Sequence, residues 1–326
     1  MRRFSESLGI LKSTSTIGNR PKVMKNRLNK EKQISGASLV VVLWLIGLLG
    51  FLILGLAKFV SLDSQWAIAV RKEAIARDRA ESGLAIASHP QVKEDDPLLV
   101  FANESGTSGF EVQITWEEGL VPLNNILISG RKDILKRLFE SWGQHPDAAA
   151  ALVDALTDWV DQDDLVSLNG AESDSYAQQG VAGFPLNRPF ESFGEVEWVL
   201  GMGEIANLKP DWREYFTFWS NGQIDLNEAN AEVVYAAMGG IDPVRAFEFV
   251  QQRNGQDGIP RTPDDRRFDS VASVRSFLGA ASEADNGILA VRSTTKRIYS
   301  VGYFQNMRVE IAETRRSDLL LWRMEY

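Results

Sequence analysis

Residues Ala37–Ala57 read ASLVVVLWLIGLLGFLILGLA and contain no charged side chain. As a helix rising 1.5 Å per residue, the stretch spans roughly 30 Å, the thickness of a bilayer's hydrocarbon layer. A cleaved secretory signal has a shorter apolar run and then a small-residue cleavage site. Here Lys58, Phe59, Val60, Ser61 and Leu62 follow, so the stretch reads as a retained, single-pass transmembrane helix. Residues 1–36 carry nine basic side chains against Glu6 and Glu31, a net of +7, and only Lys58 stands just after the run. That asymmetry keeps the N-terminus in the cytoplasm and sends the bulk of the chain across the membrane.

The chain as a whole carries −9, so residues 37–326 carry −16. A domain that acidic repels phosphate backbones, and nucleic acid is not expected as a partner. The absence of cysteine excludes disulfides, cysteine nucleophiles and thiolate metal sites. The two histidines, His89 and His145, are far apart and read as surface or capping residues. No nucleophile elbow or phosphate loop is present, and Asp158 with Asp161 lacks the setting of a glycosidase acid pair. The chain is read as a non-enzyme.

Helical character continues past the membrane. Residues 62–88 lack proline and are rich in Ala, Arg and Glu, with Ile68, Ile75 and Ile86 near one stripe, and Pro90 ends the pattern. SGFEVQITWE (108–117) alternates with Phe110, Val112, Ile114 and Trp116 on one face, a half-buried strand. Three antiparallel strands are expected at 297–303, around Met307, Val309 and Ile311, and at 319–326, with turns at Gln305–Asn306 and Arg315–Asp318.

Between these strands the signals are helical. They comprise His145–Asp161, a Ser192/Glu195 capping box ahead of Val196–Met202, and helices near 229–238 and 243–253 about Gly239-Gly240-Ile241-Asp242. Trp142, Trp159, Trp198, Trp212 and Trp219 suit a helical core. GLVPLN (119–124) and GQIDLN (222–227) form a weak internal repeat. The fold class is therefore α+β: a long N-terminal transmembrane helix and a pilin-like antiparallel sheet with a large inserted α-helical domain. The expected division is 1–36 leader, 37–57 membrane helix, 58–118 helix continuation and first sheet part, 119–287 helical insert, and 288–326 C-terminal strands.

A basic leader, then Gly36, then directly the apolar helix looks like a prepilin-type junction, with cleavage between Gly36 and Ala37. With DALTDWVDQDDLVSLNGAESDSY, FPLNRPFESFGEVEWVLGM and GQIDLNEANAEVVYAAMGGI following in order, residues 36–278 resemble the GspK family. These are minor pseudopilins of the bacterial type II secretion system. The resemblance implies a non-catalytic subunit at the tip of a periplasmic pseudopilus, supporting protein export across the outer membrane. It also implies an inner-membrane location, other minor pseudopilins as partners, and a prepilin peptidase that processes the chain. Val41 stands where most pilins have glutamate, and GspK members likewise lack it. A carboxylate in lipid costs about 2.5–3.5 kcal/mol unless it is paired.

Asp158, Asp161, Asp163 and Asp164 crowd the expected C-terminal end of a helix, with Glu172 and Asp174 in the next loop. A helix C-terminus is itself negative, and the clustered charges repel one another. A hard cation resolves both, and calcium accepts six to eight oxygens. The spacing is not that of an EF-hand. The resemblance implies calcium held by Asp161, Asp163, Asp164, Glu172 and Asp174. Two other readings stay open: a membrane-anchored periplasmic DNA-uptake protein, because the Gly239–Asp242 hairpin is similar to helix-hairpin-helix modules, and a minor component of a type IV pilus.

Overall fold

The computed structural model describes residues 36–280 and 287–326, and side chains from Ser38 onward. The expected leader, apart from Gly36, lies outside the described residues. The chain divides into two units, residues 1–64 and 65–326. The first helix, α1 (Gly36–Ala87), has 52 residues. Its first unit holds an uninterrupted apolar stretch whose large side chains are exposed, long and apolar enough by composition to cross a membrane.

The second unit contains the rest of α1. It is followed by β1 (Val100–Ala102), β2 (Ser108–Trp116), β3 (Val121–Pro122), α2 (Leu123–Ile128), α3 (Lys132–Ser141) and α4 (Pro146–Val160). Next come α5 (Ser173–Gln178), α6 (Phe193–Val196), α7 (Met202–Leu208), β4 (Phe216–Thr217) and β5 (Ile224–Asp225). The order closes with α8 (Ala231–Met238), α9 (Pro243–Arg253), α10 (Val271–Leu278), β6 (Leu289–Ala290), β7 (Thr295–Phe304), β8 (Met307–Arg316) and β9 (Leu319–Glu325). A five-stranded sheet has the order β1-β2-β7-β8-β9, with every pairing antiparallel. Thus β2 and β7 are hydrogen-bonded neighbours, although the helical stretch separates them in sequence.

Within this unit, α1 lies against the sheet through small residues. Ala76, Ala80, Gly83, Leu84 and Ala87 are buried, and Ser300 Oγ donates to the Ala80 carbonyl at 2.8 Å. A Cβ on Gly302 would come 2.1 Å from Ala76 O and 2.2 Å from Ala80 N, so β7 must carry glycine there. Of the isoleucine stripe, Ile86 alone packs against the core beneath the sheet. Ile68 is exposed and Ile75 and Ile86 are half-buried, because close backbone approach selects alanine and glycine over bulk. Lys296 closes the helix end, donating to Ala87 O at 3.4 Å and Val92 O at 3.1 Å.

The strands at the C-terminus stand near their expected places, with Gln305 and Ser317 at positive φ in the two turns. The helix expected at Val196–Met202 does not form as one piece. Gly201 at φ 99° separates α6 from α7. Trp142, Trp159 and Trp212 are buried in the helical core, whereas Trp198 is 55% exposed and Trp219 meets Trp322 in a tilted ring contact at 5.3 Å. His89 is exposed and His145 is the N-cap of α4.

The short internal repeat marks a structural duplication. Val121–Pro122 and Ile224–Asp225 each pair in parallel with a later two-residue strand, β4 and β6. Leu123 and Leu226 are then buried. Asn124 accepts from Phe190 N and donates to Phe190 O, both at 2.9 Å. Asn227 does the same to Phe268, at 3.0 and 2.9 Å. Two residues beyond each Phe, Ser192 and Ser270 cap α6 and α10. Eleven residues beyond it, Gly201 and Gly279 both have positive φ.

Two adjacent acids tie the duplicated region to the sheet. Glu117 is fully buried and accepts from Arg297 Nε at 2.7 Å and Nη2 at 3.1 Å, from Thr314 Oγ1 at 2.8 Å, and from Thr217 Oγ1. Glu118 accepts from Thr295 N at 3.1 Å, Thr294 Oγ1 at 3.0 Å and Asn221 N at 3.3 Å.

Candidate functional site

Pro146 at the first helical position and the His145 cap start α4. Its apolar face, with Leu152, Leu156 and Trp159, is buried in the core. Asp154 and Asp158, one turn apart, hold the loop that follows the helix. Asp158 is fully buried and accepts from Ser167 N at 3.1 and 3.2 Å and from Ala171 N at 2.9 Å. Asp154 accepts from Asn169 N at 3.2 Å. A Cβ on Gly170 would stand 1.9 Å from Asp158 Oδ2, so glycine makes room for the carboxylate. Asp158 therefore organises backbone. Asp158→Ala strands two amide donors and should cost about 3 kcal/mol by urea denaturation, with faster proteolysis inside 163–169. Unchanged stability would show that the seat is dispensable.

Beyond this seat the expected site residues separate into two groups. Asp161 caps the end of α4, and its Oδ1 is buried without a hydrogen-bond partner. Burial, then the charges of Asp163 and Asp158, raise its carboxyl above the ordinary range. Glu172, 3% exposed, precedes α5, and neither of its carboxylate oxygens has a partner. Burial, then Asp158, Asp161 and Asp164, push it up to about 7. Asp164 Oδ1 accepts from Asn187 Nδ2 at 3.1 Å. Asp163 is exposed and accepts from Leu165 N at 2.9 Å. Asp174 is exposed in the first turn of α5.

Among the described residues, no three acids or histidines converge closely enough to hold a metal. The donor chemistry nevertheless suits a hard cation. Asp161 Oδ1, both Glu172 oxygens and Asn187 Oδ1 are buried oxygens without partners, and such orphans carry a desolvation cost that a cation offsets. Asn187 is not among the candidates drawn from the sequence. It is a neutral residue in a distant loop, and only the fold brings it beside Asp164.

The family model described as Type II secretion system (T2SS), protein K matches residues 123–210. Residues 123–210 thus resemble a protein K domain. All five candidate acids lie within it. Over 69 residues the chain is 39% identical to the type II secretion system protein K of Klebsiella pneumoniae, covering 21% of each chain. It is 36% identical over 69 residues to that of Dickeya chrysanthemi, covering 21% of this chain and 18% of the relative. The matched stretch thus spans about a fifth of either relative's length. The fold is also that of a chain in the crystal structure of the GspK-GspI-GspJ complex from enterotoxigenic Escherichia coli. That match has a TM-score of 0.58 and 15% identity, and covers 82% of this chain and 99% of that one.

Proposed function

We propose that the protein is a minor pseudopilin: a non-catalytic subunit at the tip of a type II secretion pseudopilus, supporting export across the outer membrane. The observation that carries this reading is the protein K match at 123–210 within a fold shared with a chain of the GspK-GspI-GspJ complex. Other minor pseudopilins are its proposed partners. The apolar half of α1 anchors the protein in the inner membrane, with the N-terminus cytoplasmic and the second unit periplasmic. A prepilin peptidase cuts between Gly36 and Ala37 and leaves the whole helix on the mature chain. As the filament grows, that helix exchanges lipid for sister helices.

N-terminal sequencing of membrane-extracted protein should begin at Ala37. An intact Met1, or a start beyond Ala57, would sink the reading. Deleting the chain from its own cells should abolish export by the secretion system, and normal export would argue equally against it.

Calcium is the proposed resident cation, held by Asp161 and Glu172 with Asn187 and the nearby Asp164. Because no three acids converge closely enough without the ion, Asp163, Asp164 and Asp174 would be drawn in by local movement on binding. Bound calcium supplies positive charge to oxygens that the protein alone leaves unpaired. The DNA-binding alternative is disfavoured by the Gly239–Asp242 hairpin itself. The carboxylate of Asp242 accepts from Val244 N at 2.7 Å, so an amide that a phosphate grip would use is already taken.

A further inference from the structure

The loop after α4 displays apolar side chains outward. Leu165 is 76% exposed, Val166 58% and Leu168 94%, and none joins a core cluster. Connecting loops are ordinarily polar, and grouped exposed apolar residues mark contact surfaces.

The backbone between these side chains is fixed. Leu165 N donates to Asp163, Ser167 N to Asp158 and Asn169 N to Asp154, while Asn187 Nδ2 donates to Asp163 O at 3.3 Å. The loop therefore holds its three apolar side chains outward before anything binds, which lowers the ordering cost of association. From Asp158 to Ser175 the chain contains six carboxylates and no lysine or arginine; Asp158 and Glu172 are buried, and the exposed Asp163, Asp164 and Asp174 make the base of the apolar tip acidic.

We infer that Leu165, Val166 and Leu168 form a docking knob for a protein partner that presents an apolar pocket ringed by lysine and arginine. The acidic base selects that rim by charge complementarity and steers encounter. It also opposes insertion of the knob into an anionic lipid surface. The inference concerns the knob alone and does not depend on the secretion reading.

The test places a photoreactive p-benzoylphenylalanine at position 168 of the full chain in its own cells. The same probe at Ile259, an exposed apolar residue outside the loop, is the control. A protein adduct at least tenfold stronger from position 168 is expected, with the crosslinked peptide carrying two or more basic residues. Adding Gln162→Lys and Asn169→Lys, both exposed and neither a candidate ligand, should reduce the adduct at least fivefold without shifting the melting temperature. Leu165→Ser should reduce it as well. An adduct no stronger than the control, an adduct to lipid, or one indifferent to the added lysines would overturn the inference.

Discussion

Gly302→Ala should cost roughly 3 kcal/mol and lower the melting temperature of the full chain in detergent by roughly 10 °C. The new methyl has no space: the nearest atoms are the backbone of Ala76 and Ala80, at 2.1 and 2.2 Å. Helix and sheet must separate, or β7 must bend, and either change disturbs a strand paired on both sides by β2 and β8. Gly203→Ala is the control. Nothing lies within 4 Å of that position, and alanine in the α7 helix should stabilise by up to about 1 kcal/mol. Near-UV circular dichroism during urea unfolding reads both. Equal stability of Gly302→Ala and the parent would refute the account of how α1 meets the sheet.

Without calcium, the protein should lose stability as pH rises from about 4.5 to about 7. Glu172 is held near 7 in the folded chain, above its ordinary 4.5, so the native state keeps a proton that the unfolded state has released. Stability linked to such a group is full below the unfolded pKa and falls by about 1.4 kcal/mol per pH unit between the two values. The expected total is about 3 kcal/mol. Asp161 adds in the same direction.

Calcium should restore the loss most strongly above pH 7, where the carboxylate is ionised and no proton competes. Glu172→Gln should flatten the pH dependence, exceed the parent in stability at pH 8 with EGTA, and respond weakly to calcium. Urea midpoints at pH 5, 6, 7 and 8 measure all of this. A midpoint that rises with pH in EGTA, or no calcium effect at millimolar concentration, would rule out the orphaned carboxylates as a cation site.

The parts legible in the sequence were those governed by local periodicity. Alternation in SGFEVQITWE gave β2, turn residues placed the C-terminal hairpins, and Pro146 and Asp242 set the starts of α4 and α9. Long-range geometry was hidden. The isoleucines of α1 looked like the packed face, yet Ala76, Ala80 and Gly83 are what the sheet demands. Glu117 and Glu118 carry no local signal of burial, which comes from Arg297, Thr314 and Thr295, 177 to 197 residues later. At the candidate site, composition found the acids but could not divide them. Asp158 binds amides, Asp161 and Glu172 remain unmatched, and Asn187 arrives from a loop that no spacing rule connects to them.

The twin Asn–Phe clamps imply two related lobes whose connecting loops differ in how they balance charge. In the later lobe, Glu228 pairs with Arg261 and Arg267, and Asp264 and Asp265 accept backbone amides from Gln256 and Arg261 at 2.7 Å. That lobe supplies its own counterions, whereas in the earlier one Asp161 Oδ1 and both Glu172 oxygens have no partner and, on the calcium proposal, take one from solution. On that proposal, hydrogen exchange under chelation should open the earlier lobe first and leave the later one protected, and the ionic makeup of the surrounding compartment would set the rigidity of one lobe alone.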